Sequence, residues 1–338
     1  MTKVYEKKYE ENSHVFFEKK KDPVVNYFSP QSMKEYIGQE ELKKRLLVYI
    51  ESAKKRQTTL DHMLFFGPPG LGKTTLAEII AISLEKKIKI TSGPVLQKTG
   101  DLLAILSSLK QGDVFFIDEI HRLPIGVEEA LYSAMEQYKI DIIIGAGSVS
   151  KTVTISLPSF TLLGATTKLG LLSGPLRSRF GIVEKFEWYT IFELITIIKQ
   201  TALFFDIIID DESAVKIAEA SRGTPRIAKK LMHKVRDYAI VKTNNIIDKS
   251  IIEEVFDFFH ILENGLTHSD ILLLQVLYET THPIGVEALA ALINEEVEAI
   301  CEVYEPFLLR LGYIERTPRG RILRKEKKEE IEKILLNK

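Results

Sequence analysis

The sequence lacks several features that would place it in well-known classes of protein. Its 338 residues contain a single cysteine, Cys301, which excludes an intramolecular disulfide framework and a zinc site made of several cysteines. No apolar run reaches the length of about 18 residues that a membrane-spanning helix needs. The first 21 residues mix lysine with glutamate and contain no apolar run, which is not the pattern of a secretory signal. We therefore expect a cytoplasmic protein with no membrane segment.

Neither sign of charge is in excess. The chain has 46 Lys+Arg against 47 Asp+Glu, for a formal net charge of -1. This balance excludes a polybasic protein that coats nucleic acid by bulk charge, although it leaves room for a local basic patch. Hydrophobic residues make up 45% of the chain, which is typical of a soluble globular protein with a sizeable core.

The order of the local patterns predicts three domains after a tail. Residues 1–26 are charged and aperiodic, and we expect a flexible tail. Short β-branched and aromatic runs alternate with helical patterns over residues 27–189, which predicts an α/β domain with a doubly wound parallel sheet. Residues 190–260 show helical patterns and no strands, so they predict a small all-helical domain.

The last domain, residues 263–338, has the outline of a winged helix. Three helical patterns, the third over residues 295–311, precede two short strands that flank the turn 317–320. We call residues 313–324 the wing. The segment from Lys325 onward alternates lysine with glutamate and is expected to be a solvated helix.

The strongest motif is a glycine-rich loop at residues 67–74, GPPGLGKT, which we call the phosphate loop. It fits G-x-x-x-x-G-K-[ST] and lies after a predicted strand and at the start of a predicted helix. In such a loop, backbone N–H groups converge on phosphate oxygens. Lys73 is expected to reach the β- and γ-phosphates of ATP, and the Thr74 hydroxyl to hold Mg²⁺. The alternative, a glycine turn that only joins strand to helix, does not need the Lys-Thr pair.

An acidic pair follows a second buried strand. Hydrolysis of ATP needs a carboxylate to hold Mg²⁺ and a group to orient the attacking water; Asp118 suits the first role and Glu119 the second. The pair could instead be only a strand end. With His121 it also resembles the D-E-x-H box of two-lobed helicases, but the second nucleotide-binding lobe that they need is missing here. We therefore expect His121 to make a local hydrogen bond.

Three further segments resemble motifs of the AAA+ ATPases. Residues 164–167 resemble sensor 1, with Thr167 facing the γ-phosphate, and residues 223–226 resemble sensor 2, with Arg226 in the first turn of a helix. Thr224 and Pro225 suit the N-cap and first position of that helix. Residues 177–180 resemble an arginine finger that enters the site of a neighbouring subunit; Arg179 matches best, with Arg177 as the alternative.

Over residues 28–324 the resemblance narrows to the RuvB family, the motor subunits that drive Holliday-junction branch migration in bacteria. The most specific strings are residues 222–228 (RGTPRIA) and 316–321 (RTPRGR). The resemblance implies a homohexameric ring that uses ATP and Mg²⁺ to move duplex DNA without sequence specificity. It also implies a RuvA tetramer that holds the junction and a RuvC resolvase in the wider complex. One departure is Ser29, where the family has arginine.

Functional residues are carried over position by position. The resemblance implies nucleotide contacts from Tyr36, Ile37, Gly70, Leu71, Gly72, Lys73, Thr74, Thr75, Glu136, Gln137, Tyr138, Arg179, Tyr189 and Arg226. The expected catalytic residues are Lys73, Asp118, Glu119, Thr167 and Arg179, and the expected Mg²⁺ ligands are Thr74 and Asp118.

Residues 141–160 form a predicted long hairpin that a generic ATPase core does not need. Alternation in its second half gives one apolar face, which would be exposed on a projecting hairpin and would mark a partner site. The resemblance implies that RuvA docks on Val153 and Ile155. The alternative is that these residues pack on the chain's own core.

The wing carries the predicted DNA contacts, Arg316, Arg319 and Arg321. The preceding predicted helix is strongly acidic and therefore unsuited to reading bases beside phosphates. Arginines without a base-reading helix indicate contacts to the DNA backbone, which do not specify sequence. A solvated basic turn is the alternative. For the whole protein, an AAA+ clamp-loader-like or remodelling ATPase and a nucleotide-gated DNA-binding regulator are the alternatives, the latter disfavoured by the acidic helix.

Overall fold

A computed structural model describes residues 29–144, 151–243, 245–262 and 265–336. The predicted tail, residues 1–26, and the turn of the predicted hairpin at residues 145–148 lie outside this range. The chain divides into two compact units, the first comprising residues up to Phe204 with Gly223–Lys229, and the second Phe205–Arg222 with the residues from Lys230 onward. Among the described helices, none is both long and apolar enough to span a bilayer.

The first unit is an α/β domain. Its strands are β1 (Met63–Phe66), β2 (Ile88–Ser92), β3 (Val114–Asp118), β4 (Lys139–Ile144), β5 (Lys151–Ser156), β6 (Thr161–Thr166) and β7 (Ile182–Lys185). Its helices are α1 (Glu40–Arg56), α2 (Lys73–Leu84), α3 (Thr99–Leu106), α4 (Ile125–Gln137), α5 (Gly174–Ser178) and α6 (Ile191–Phe204). Five strands pair in parallel in the order β2-β3-β6-β1-β7, which confirms the predicted parallel sheet.

The sheet forms because its central strands are apolar on both faces. Every residue of β6 is buried, and in β3 only the last residue, Asp118, is not. Phe115 and Phe116 point to opposite faces of β3, and both are completely buried. Burying such a side chain contributes about 1.5–3 kcal/mol. Helices must therefore cover both faces of these central strands, whose polar groups, such as Asp118, reach the surface at the strand ends.

Parallel pairing brings those ends to one edge. Phe66, at the end of β1, lies opposite Thr166, at the end of β6. On the other side of β6, Ile117 lies opposite Gly164, so that Asp118 is the next residue at the same edge. This register places the loops after β1, β3 and β6 side by side.

The second unit contains the remaining elements. They are β8 (Ile208–Ile209), α7 (Asp211–Ala220), most of α8 (Pro225–Lys242), β9 (Ile246–Ile247), α9 (Lys249–Phe258), α10 (His268–Glu279), α11 (Val286–Ile293), α12 (Val297–Ala299), α13 (Glu305–Arg310), β10 (Ile314–Thr317), β11 (Gly320–Leu323) and α14 (Lys328–Leu336). The expectation of no strands in residues 190–260 was wrong, because β8 and β9 pair in parallel. Two residues per strand are too few to produce an alternating pattern.

The predicted winged helix is confirmed, with one change in its third helix. A π-helical turn, Ile300–Tyr304, separates α12 from α13. Pro306 lies at the start of α13 and has no N–H to donate to the preceding turn, which accounts for the irregularity.

The wing pairs more tightly than the sequence predicts. Thr317 lies opposite Gly320, so only two residues form the loop. Ile284 forms an isolated antiparallel bridge to the wing, because its N–H donates to the Arg321 carbonyl at 2.9 Å and its carbonyl accepts from the Arg321 N–H at 2.8 Å. Gly320 has φ 138°, and a Cβ there would overlap the Ile284 carbonyl. Glycine is therefore required at this position.

The last helix is not simply solvated, as was expected of the charged C-terminal segment. Ile331 of α14 is completely buried and belongs to the winged-helix core, against which Ile334 and Leu335 also pack. The three apolar residues recur at helical spacing between charged ones, so the charge alternation concealed an amphipathic face.

Candidate functional site

The phosphate loop connects β1 to α2 and depends on glycine for two reasons. Gly67, Gly70 and Gly72 have φ values of 143°, 80° and 93°, which side chains rarely allow. Their neighbours are also close, since a Cβ on Gly72 would lie 2.6 Å from the Tyr36 hydroxyl. The loop therefore has a compact backbone conformation that side chains at these three positions would strain.

Lys73 is held over this loop. It is 7% exposed, and its Nζ donates to the carbonyl oxygens of Gly67 and Pro68, each at 2.8 Å. Burial lowers the pKa of Lys73 to about 8; the charge of Asp118 opposes this shift and that of Arg226 adds to it. The Lys73 ammonium group is thus largely removed from water and hydrogen-bonded to the phosphate loop. This is the loop in which it is predicted to bind phosphate.

Two buried tyrosines support the loop from below. The Tyr36 hydroxyl donates to the Leu71 carbonyl at 3.1 Å, and the Tyr189 hydroxyl donates to that of Tyr36 at 3.2 Å. Burial is the main cause that raises the pKa of both phenols, so both stay protonated. Ile37 follows Tyr36 and is half-buried. The predicted nucleotide contacts at residues 36–37, 70–75 and 189 thus lie next to one another. Thr74 and Thr75 are in the first turn of α2.

The acidic pair lies at the end of β3. The Asp118 carboxylate accepts a hydrogen bond from the Glu119 N–H at 2.9 Å. Glu119 has φ 47°, in the left-handed region, and pairs with Arg122 at 3.1 Å. A non-glycine residue in such a conformation costs about 1–3 kcal/mol, which the surrounding structure must offset. The two carboxylates therefore have different partners, the Glu119 N–H for Asp118 and the Arg122 guanidinium for Glu119.

The two threonines of the sensor-1 segment differ in burial and in hydrogen bonding. Thr166, 1% exposed, shares a hydrogen bond of 2.9 Å with His121 Nδ1 and accepts another from the Lys168 N–H at 3.0 Å. The expected local hydrogen bond of His121 is therefore confirmed. Since the Thr166 hydroxyl is engaged, Thr167, half-buried just beyond the strand, is the better-placed of the two to meet a ligand.

The sensor-2 turn contacts the phosphate loop. Helix α8 starts at Pro225, and Thr224 Oγ1 accepts from the Ile227 N–H at 3.4 Å, as predicted for its N-cap. The Arg226 N–H donates to the Gly70 carbonyl at 3.3 Å. A Cβ on Gly70 would lie 3.0 Å from the Arg226 Cβ. Arg226 is therefore anchored beside the loop by its backbone, and its side chain is exposed.

Arg179 and residues 136–138 form a second group. The Arg179 Nε lies 3.1 Å from a Glu136 carboxylate oxygen, and its Nη1 donates to the Pro175 carbonyl at 2.8 Å. Gln137 ends α4, and the Tyr138 ring makes an edge contact with that of Phe160 at 5.8 Å. In the part of the chain that the structure describes, no hydrogen bond or ion pair joins this group to the phosphate loop. The predicted nucleotide contacts therefore fall into two separate groups.

The residues that support Arg179 were not predicted from the sequence. Its guanidinium lies 4.4 Å from the centroid of the Tyr132 ring. The Tyr132 hydroxyl donates to Glu128, and Ser173 contacts both. Glu128, Tyr132 and Glu136 are spaced by four residues on α4 and so share one helix face. This four-residue spacing in the sequence could have indicated that the three side chains act together. Together they hold the guanidinium in a defined position.

The hairpin β4–β5 places its two predicted contact residues differently. Val153 is 41% exposed, whereas Ile155 is half-buried and lies opposite the fully buried Ile140. Both therefore lie on one face, with Ile155 near the core and Val153 further out. Thr154, on the other face, donates to the Asp141 carboxylate at 2.5 Å.

The three wing arginines are not equivalent. Arg319 lies exposed in the two-residue loop. The Arg316 side chain is 56% exposed and that of Arg321 only 16%, and both pair with Glu305, whose side chain is completely buried. Glu305 belongs to the acidic segment that we predicted to be unfavourable beside DNA, yet its charge is directed to the wing. Alternation could have shown which face Arg316 occupies, because it lies two residues from the buried Ile314, but not that Glu305 is its partner there.

The chain matches family models along most of its length. Residues 28–186 match the model described as Holliday junction DNA helicase RuvB P-loop domain. Residues 189–261 match the RuvB AAA lid domain, and residues 263–332 match the RuvB C-terminal winged helix domain.

Individual proteins give the same result. The Holliday junction branch migration complex subunit RuvB of Ligilactobacillus salivarius is 51% identical over 296 residues, 87% of this chain and 88% of that protein. That of Phytoplasma mali is 50% identical over 295 residues, 87% of this chain and 89% of the other. A solved structure of the Thermotoga maritima RuvB Holliday junction branch migration motor superimposes with a TM-score of 0.81 at 47% identity, covering 90% of this chain and 98% of that one. The chain therefore belongs to the RuvB family of AAA+ ATPases, and its first domain is a nucleotide-binding P-loop domain.

Proposed function

We propose that this chain is an ATP-driven DNA translocase of the Holliday-junction branch migration complex. As a homohexameric ring it pulls duplex arms through a four-way junction held by a RuvA tetramer, with RuvC resolvase in the wider complex. The observation that carries the proposal is the hydrogen bond from the Arg226 N–H to the Gly70 carbonyl. It ties the first turn of α8 to the phosphate loop, so that a change at the phosphates reaches the helix. The relatives are named as subunits of this complex.

The residues at the loop fit ATP with Mg²⁺. The cradle of Gly67, Gly70 and Gly72 leaves no space for side chains, and a hydroxyl and a carboxylate, on Thr74 and Asp118, are the oxygen donors that Mg²⁺ prefers. Mg²⁺, when bound, neutralises charge that develops on the phosphate oxygens during transfer. Thr74 and Asp118 are the residues proposed to hold it.

The remaining residues of the loop have separate roles in hydrolysis. Lys73 exchanges its carbonyl partners for phosphate oxygens, which its partly desolvated ammonium favours. Glu119 orients the attacking water and accepts its proton, and Thr167 positions that water relative to the γ-phosphate. Arg226 reports the presence of the γ-phosphate to α8. Tyr36, Ile37 and Tyr189 form the wall on which the adenine end rests.

Arg179 completes the site of a neighbouring subunit. Its group with Glu136, Gln137 and Tyr138 has no bond to the phosphate loop of its own chain among the described residues. A ring places such a group against the next subunit's nucleotide. There Arg179 leaves Glu136 and stabilises the charge that develops on the γ-phosphate. This arrangement requires an oligomer for activity.

A synthetic four-way junction tests the whole proposal. The chain, ATP and Mg²⁺ are expected to dissociate the labelled junction into duplexes, and RuvA is expected to accelerate this. A clamp-loader-like or remodelling ATPase would hydrolyse ATP and leave the junction intact, as would a nucleotide-gated DNA-binding regulator. An intact junction in the presence of RuvA would therefore contradict the proposal.

The hairpin gives a specific expectation for partner docking. Val153→Glu places a charge on the exposed apolar face, so we expect RuvA-stimulated junction dissociation to fall at least tenfold, since burying an unpaired charge costs several kcal/mol. Intrinsic ATPase activity should be unchanged. Ser156→Glu, on the opposite face of the same strand, is the matched control. If RuvA stimulated junction dissociation by the Val153→Glu variant as strongly as by the unmodified chain, RuvA would have to dock on another surface.

The wing gives an expectation for DNA affinity. Arg316→Ala is expected to weaken duplex binding equally for unrelated sequences, because it removes a phosphate contact. The slope of log K against log[salt] should become shallower by about 0.9 for each engaged wing. Lys333→Ala, on the exposed face of α14, is the control for loss of a positive charge. An unchanged slope for Arg316→Ala would remove this residue from the DNA contacts.

A further inference from the structure

Glu305 lies in an unusual position for an acidic residue of a DNA-binding domain. Its side chain is completely buried at the start of α13. Arg316 donates to it from Nε at 2.6 Å and from Nη2 at 2.9 Å, and Arg321 donates from Nε at 2.9 Å and from Nη2 at 3.0 Å. One carboxylate therefore accepts four charge-assisted hydrogen bonds from two guanidinium groups.

The fold brings the two arginines together before any DNA arrives. Arg316 and Arg321 lie directly opposite each other across the antiparallel strands. Like charges in that position repel each other. The Glu305 carboxylate offsets this repulsion, and its pKa shows that it is ionised: burial raises the pKa, but the hydrogen bonds and charges of the two arginines outweigh burial and lower it overall.

The same contacts decide which edge of each guanidinium stays available. An arginine has five N–H donors, and the Nε–Nη2 edge of Arg316 is turned toward Glu305. Its Nη1 makes no hydrogen bond in the described part of the chain, and the side chain is 56% exposed. Arg321 presents the same edge to Glu305, but is only 16% exposed and also lies 3.8 Å from Cys301 Sγ. Arg316 is thus the outward donor, and Arg321 lies behind it.

We propose that Glu305 is a positioning residue of the wing that orders Arg316 for a phosphate and withholds one positive charge of the arginine pair from DNA. With Arg319, the wing then acts with two net charges in place of three. The inference rests on the proposed DNA-binding function of the wing. Weaker attraction per subunit suits a ring that must release the backbone at every step, because affinity rises steeply with each neutralised phosphate.

Salt dependence separates this role from a structural one. Glu305→Gln keeps the size of the side chain and removes its charge, so the slope of log K against log[salt] should steepen by about 0.9 per engaged wing. By the same relation, affinity at 50 mM salt should rise on the order of tenfold. Arg321→Met changes the charge of the same cluster in the opposite direction and should make the slope shallower by about 0.9. A merely structural role would move both variants in the same direction.

The measurement uses the full-length chain and a fluorescent duplex of mixed sequence, with oligomeric state and thermal unfolding checked at each salt concentration. Glu298→Gln removes the same charge from the exposed face of α12 and is expected to change the slope much less. A folded Glu305→Gln variant with an unchanged or shallower slope would overturn the inference. If that variant does not fold, an unchanged slope for Arg321→Met would overturn it. Failure of the unmodified chain to bind the duplex would instead contradict the proposed function.

Discussion

Lys73→Met is expected to abolish ATP hydrolysis while leaving the fold intact. The Lys73 ammonium is hydrogen-bonded to the phosphate loop itself, and loss of one such preorganised donor costs on the order of 10²–10³-fold in kcat. Stability should not fall, because burial already disfavours the charged lysine, as its pKa of about 8 shows. Methionine has a similar length and needs no hydrogen-bond partner.

Two measurements separate catalysis from nucleotide binding for this variant. Steady-state ATPase activity reports kcat, and a fluorescent nucleotide reports affinity in the absence of turnover. Lys110→Met, which removes an exposed lysine elsewhere in the same unit, is the control and should retain full activity. Substantial hydrolysis by a folded Lys73→Met chain would show that the chemistry lies away from the phosphate loop.

Arg179→Ala is expected to lower kcat at least as much, for a different reason. An arginine finger contributes about 10³–10⁵-fold to the rate of phosphoryl transfer. In the isolated chain the Arg179 guanidinium pairs with Glu136 and lies over Tyr132, without a contact to its own phosphate loop in the described residues. Its loss should therefore leave nucleotide affinity nearly unchanged and lower kcat.

Mixing two inactive chains tests whether the finger acts between subunits. In a mixed ring, Arg179 of a Lys73→Met subunit can complete the intact phosphate loop of an Arg179→Ala neighbour, so part of the ATPase activity should return. Lack of recovery in rings shown to contain both chains would indicate that Arg179 acts within its own subunit.

Arg177→Ala decides between the two candidate fingers. Arg177 is exposed on α5, whereas Arg179 has an ordered partner on α4. We expect the Arg177 variant to keep most of its activity. A large loss in this variant, with recovery on mixing, would transfer the finger role from Arg179 to Arg177.

Features that depend on neighbouring residues could be predicted from the sequence. The phosphate loop needs particular backbone angles and a helix start, and both are encoded within eight consecutive residues. Thr224 and Pro225 specify the start of α8 for the same local reason. The apolar runs of β1, β3 and β6 predicted a buried parallel sheet, because only a strand covered on both faces is apolar at every position.

Other features could not be predicted from the sequence, because they depend on contacts between segments that are distant in the chain. Strands β8 and β9 are two residues each and exist only because residues 208–209 and 246–247 meet. The Arg179 partner lies on a different helix, so composition alone could not show whether the guanidinium is free or held.

The wing shows the difference most clearly. By itself the sequence determined that basic residues concentrate in one short hairpin behind an acidic segment, and it implied that the two oppose each other at the DNA. Only the tertiary structure decided that Glu305 is buried against Arg316 and Arg321. The physical reason is that a charge in the core must find a partner, and which partner it finds depends on packing and not on its place in the chain.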